Sequence, residues 1–135
     1  MRARVADYFP QYTIRRSSQA ERAYEADLII EGPDCPAWLS ALWFECEHAN
    51  QVDAMKKLEQ GERDALEFYE RMKRDRYVVA CTRETGRRVI NATLRLGTLL
   101  VVIGDRKPLA ETVGWNQVVT LPLEDLLAQL VSRAC

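Results

Sequence analysis

The sequence predicts an α/β fold, a mixed sheet flanked by helices, and three observations predict it. Short apolar runs at residues 27–30, 42–47 and 77–82 read as strands. Between the second and third of them, residues 52–75 carry apolar side chains at helical spacing. The chain then closes on Pro122-Leu123-Glu124-Asp125, a proline and two acids placed where a helix start favours them.

The elements follow in order. Residues 2–9 make a short helix stopped by Pro10, and Arg15-Arg16-Ser17-Ser18-Gln19 reads as a loop or an edge strand. Asp27-Leu28-Ile29-Ile30 is the first clear strand, ended by the turn signal Gly32-Pro33-Asp34. A loop with Pro36 and Trp38 leads to the strand Leu42-Trp43-Phe44-Glu45-Cys46-Glu47, whose alternation puts Trp43, Glu45 and Glu47 on one face. The long helix over 52–75 is interrupted only by Gly61. Residues 87–96 stay open, since Ile90, Ala92, Leu94 and Leu96 alternate as in a strand while Gly97 reads as a helix C-cap. Thr98–Ile103 reads as a strand, Val118–Leu121 as another, and the closing helix runs to about Arg133.

With 135 residues, 47% apolar and 29% charged, the chain has the composition of an ordinary globular domain, and no repeat or linker divides it, so residues 1–135 are read as one domain. The longest apolar runs fall far short of the roughly 20 residues a bilayer requires, so no membrane partner and a cytoplasmic location are expected. Four cysteines without a C-x-x-C pair and a single histidine, His48, argue against a zinc finger and leave carboxylates as the groups to carry chemistry.

Net charge is −1, but its placement is uneven. Residues 1–26 hold five Arg against three acids and residues 83–107 six basic against two acidic residues, while residues 27–82 hold twelve acids against seven bases. Basic flanks around an acidic centre suit a metal site presented to a polyanion. Arg15, Arg16, Ser17 and Ser18 on one flank, and Arg83, Arg87 and Arg88 on the other, are the candidate nucleic-acid contacts, although solvated surface gives the same pattern. Trp38 and Trp115 are candidates for base stacking or a dimer interface.

The chemistry concentrates on Glu45 and Glu47, whose carboxylates project the same way about 6 to 7 Å apart along a strand. Asp27 begins the preceding strand and approaches Glu45 if the two strands form a hairpin. Two or three carboxylates, the Cys46 backbone carbonyl and waters make a set of ligands for Mg²⁺ or Mn²⁺.

The order of an Asp-led strand, Leu42-Trp43-Phe44-Glu45-Cys46-Glu47, Gln60-Gly61-Glu62-Arg63-Asp64-Ala65 and Val119-Thr120-Leu121-Pro122-Leu123-Glu124-Asp125-Leu126-Leu127 resembles the PD-(D/E)xK nuclease superfamily, in its small phage and prokaryotic Holliday-junction-resolvase-like subset. The resemblance implies a restriction-endonuclease-like fold and a homodimeric, Mg²⁺-dependent endonuclease acting on DNA, branched DNA included. It makes Asp27 and Glu45 metal ligands, with Asp34 of Gly-Pro-Asp as the alternative to Asp27, and gives Gln60 contact with water or phosphate. Glu47 takes the place of the family's lysine, as a general base, a second-metal ligand or the mark of a silent site. The first-helix glutamate of the family has only Asp7 near its place. The competing expectation is a catalytically silent nuclease-fold protein that binds nucleic acid or a protein partner.

Overall fold

The computed structural model describes residues 1–16, 27–73, 76–104 and 116–134; Ser17, Ser18 and Trp115 lie outside them. One six-stranded mixed sheet, in the order β1-β2-β3-β4-β5-β6, is flanked by helices on both faces, the α/β architecture expected from the sequence. The strands are β1 (Thr13–Arg16), β2 (Leu28–Glu31), β3 (Leu42–Ala49), β4 (Tyr77–Glu84), β5 (Asn91–Arg95) and β6 (Val118–Pro122). The helices are α1 (Arg2–Tyr8), α2 (Ala37–Ser40), α3 (Ala54–Met72), α4 (Leu96–Val102) and α5 (Leu123–Ala134). β3 and β4 are parallel, joined by the crossover through α3, and every other neighbouring pair is antiparallel.

The alternation read in β3 sorts the layers. Leu42 and Phe44 face a core built with Val5 of α1 and Phe9 just after it, Ile30, Val79, Cys81, Leu94 and the buried leucines of α5. Trp43, with Val78 and Ala80 of β4, faces a smaller core completed by Leu58, Ala65 and Phe68 of α3. Glu45 and Glu47 therefore share the α3 side of the sheet.

Asp53 caps α3, its carboxylate accepting from the Lys56 N–H at 3.0 Å, and the helix ends on Lys73 in the left-handed conformation. Arg95 of β5 forks onto Glu62 of α3 at 2.8 and 2.9 Å and ties the helix to the far half of the sheet. Gly61 does not interrupt α3: a Cβ there would stand 2.5 Å from Glu45 Cγ and 2.8 Å from Val78 Cγ1, so the helix backbone lies directly on the sheet at this point.

Further expectations are corrected. Residues 98–103 are not a strand: α4 covers Leu96–Val102, and the open segment before it is β5. Leu99, Val102 and Ile103 all reach the core, a three-and-four spacing that an uninterrupted apolar run conceals. Gly97 is correspondingly buried in the first turn of α4 rather than capping a helix end. Trp38 is not in a loop but on α2, packed against the larger core, with the Arg133 guanidinium 4.0 Å from its ring centroid. That face is taken, which removes Trp38 as an open stacking platform. Among the described residues no helix is long and apolar enough to cross a membrane.

Gly61→Ala separates packing from propensity. Helix propensity alone would stabilise the protein by about 0.5–1 kcal/mol, whereas overpacking against Glu45 and Val78 costs about 1–3 kcal/mol. Urea unfolding is expected to show a lower midpoint for the variant.

Candidate active site

Among the described residues β2 and β3 pair at one register position, Leu28 with Phe44. Asp27, immediately before Leu28, stands at the fork where the two strands meet. Its N–H donates to the Phe44 carbonyl at 3.0 Å, and its Oδ2 accepts the Cys46 N–H at 2.8 Å. The carboxylate thus anchors to the β3 backbone, and hydrogen bonds from backbone N–H to a carboxylate are among the stronger ones. Because N–H and C=O of one strand residue point to the same side, the Cys46 carbonyl also faces the fork.

Glu45 is buried, with 4% of its surface exposed. Its Oε1 accepts the Trp43 indole N–H at 2.7 Å, and its Oε2 lies 4.0 Å from the Lys57 ammonium. Burial, opposed by the indole bond and reinforced by the Asp27 charge, pushes the Glu45 carboxyl up to about 7. Asp64 is also raised, first by burial.

These groups open into one cavity of about 700 Å³ lined by Asp27, Glu45, Cys46, Glu47, His48 and Gln60, with Lys57 and Asp64 beside Gln60 on α3 and Arg2 and Arg16 at its mouth. The structure therefore gathers the predicted Asp27, Glu45, Glu47, Gln60 and Cys46 in one place. Asp34 falls in the turn beyond the opposite end of β2, so the fork brings Asp27 and not Asp34 beside Glu45. Asp7 is exposed on α1 and does not line the cavity. Arg15 pairs with Glu31 across β1 and β2 at 3.0 Å, while Arg16, Arg87 and Arg88 are exposed.

Lys57, Asp64 and the Trp43 indole are members of the site that the sequence reading missed. Lys57, Gln60, Gly61 and Asp64 stand at i, i+3, i+4 and i+7, one helical face with a glycine in it, and that spacing was the available signal.

Among the described residues no three His, Cys, Asp or Glu side chains are gathered closely enough to hold a metal ion by themselves. The Asp27–Glu45 pair with the Cys46 carbonyl nevertheless fits Mg²⁺, which takes one or two carboxylates and keeps several waters. No family model matches the chain, and no curated protein or solved structure does either.

A carboxyl raised in the folded state binds a proton that the unfolded chain has already released. Stability of the metal-free protein is therefore expected to fall as pH rises from about 4.5 to about 7 and to level off above. Glu45→Gln should flatten that window and be more stable than the parent at pH 8 by on the order of 2 kcal/mol. Urea unfolding across pH checks both. Trp43→Phe, which keeps the ring packed and removes the donor, should raise the Glu45 pKa further, as read by carbon-detected NMR titration.

Proposed function

We propose that the protein is a divalent-metal-dependent nuclease of DNA, acting from the cavity at the β2–β3 fork. The observation that supports this most is the pairing of Asp27 and Glu45: two carboxylates from adjacent strands, one locked by a backbone N–H and the other buried at the floor of an open, polar cavity. Burying a carboxylate beside another is costly without a cation, and the raised Glu45 carboxyl records that cost.

In this reading Asp27, Glu45 and the Cys46 carbonyl would hold Mg²⁺ or Mn²⁺. When bound, the ion supplies Lewis acidity toward a phosphodiester oxygen and makes a water more acidic. Glu47, on the same strand face as Glu45, accepts a proton from the attacking water, a role for which a carboxylate suffices. What Glu47 cannot do is donate positive charge, and Lys57 stands where it can: its ammonium reaches the cavity from α3, beside Glu45. Lys57 would oppose charge developing on the phosphate, and Gln60, one turn further along the helix, orients water or a phosphate oxygen by hydrogen bonding.

The resemblance carries the finer part of the reading: branched or Holliday-junction DNA as substrate, a homodimer that makes paired cuts, and a cytoplasmic, phage-like setting. A second reading, a nuclease-fold protein that binds without cutting, is favoured by one observation, the glutamate at position 47.

Incubation of the purified protein with a labelled four-way junction and matched linear duplex, in Mg²⁺, Mn²⁺ or EDTA, tests the reading. Cutting is expected only with metal, abolished by Asp27→Ala and by Glu45→Ala, and unaffected by Asp34→Ala. Lys57→Met should lower the rate by about 10²–10³, and Glu47→Lys in that background should restore part of it. No cutting under any metal, with junction binding retained, would leave the non-cleaving reading.

A further inference from the structure

The strand directions bring two separate basic segments to the same edge of the sheet as the cavity. β1 ends on Arg16, which pairs in register with Leu28, the residue after Asp27. β3 and β4 run in parallel and end together, His48 opposite Arg83 and Ala49 opposite Glu84. The tight turn that follows β4 is hydrogen-bonded to the end of β3, the Thr85 N–H donating to the Ala49 carbonyl at 2.9 Å. Gly86, at a φ of 84°, provides the left-handed residue that this turn requires. The Arg83 Nε–H donates to the Arg87 carbonyl at 2.7 Å and braces the turn, and Arg87 and Arg88 are both exposed beyond it. Arg16 is exposed one strand outboard of Asp27 on the other side.

We infer that this rim is a backbone track for a DNA strand, which crosses the ends of β1, β3 and β4 with Arg16 holding phosphate on one side of the cavity and Arg87 and Arg88 on the other. The inference rests on the nuclease reading for its orientation. Its support is the charge arrangement: the carboxylates at the centre repel a polyanion, so attraction must come from the flanks, and the exposed guanidiniums are there. The rim at Arg83 lies three strands sideways from Arg16, about 14 Å, and four residues lengthwise from the level of Phe44 to that of His48, about 13 Å, a diagonal of about 20 Å. That is about six nucleotides at 3.4 Å of axial rise per nucleotide of one strand. Such contacts position the strand and carry no sequence preference.

Fluorescence anisotropy with labelled DNA, single-stranded and duplex, over a salt series in EDTA and again in Ca²⁺, reads binding apart from cutting. The slope of log K against log salt is expected to become shallower by about 0.7–0.9 for Arg16→Ala and by about twice that for Arg87→Ala/Arg88→Ala, with affinity falling alike for unrelated sequences. Lys73→Gln, at the opposite end of the sheet, should leave the slope unchanged. Equal slopes for the parent and both rim variants, or no salt-dependent binding by the parent in either condition, would overturn the track. Rim-dependent binding without metal-dependent cutting would instead keep the track and overturn the nuclease reading. Cutting with unchanged slopes would do the reverse.

Discussion

The site depends on one close approach, the seating of α3 on the sheet at Gly61. A helix normally stands off a sheet by the length of the side chains between them; here the missing Cβ lets the helix backbone rest against Glu45 and Val78. That contact buries Glu45 and sets the angle from which Lys57, Gln60 and Asp64 look into the cavity. It also explains the division of labour along α3. Leu58, Ala65 and Phe68 fill the smaller core, while the neighbouring polar face forms the wall over the fork.

The electrostatics follow from that seating. Glu45 is held by an indole N–H and faced by an ammonium at 4.0 Å, yet burial outweighs both and its carboxyl remains raised. A structural role would be served more cheaply by a glutamine, which makes the indole contact without a desolvated charge. Asp27 differs: its carboxylate is engaged by the backbone, accepting the Cys46 N–H of β3. One acid is strained by burial and the other satisfied by the backbone, and the two end at the same opening.

Much of this was legible in the residues. Half of β3 is apolar on one face, so its two-residue period sorted Glu45 and Glu47 from Leu42 and Phe44 without ambiguity. The Asp27 strand could be placed because a strong turn signal closes it, and that same signal, which accounts for Asp34 as a turn residue, favoured Asp27 over Asp34. The run from Thr98 to Ile103 was misread as a strand, because an apolar segment of that length satisfies the strand and the helix period alike. Lys57 was invisible for a different reason: a lysine on a charged helix is ordinary surface until the helix is known to lie against the sheet.

The order of the sheet has a consequence for how the molecule is assembled. Each strand lies beside its immediate successor in the chain, although the parallel β3–β4 pairing must wait for α3 to cross over between them. The acids, amide and ammonium described above come from residues 27–64 alone, spanning β2, β3 and most of α3, with β4 as the strand on which they settle. The chemistry is thus housed in one contiguous stretch of chain, while α5, from the far end of the sequence, supplies the leucines that fill the core on the opposite face of the same sheet.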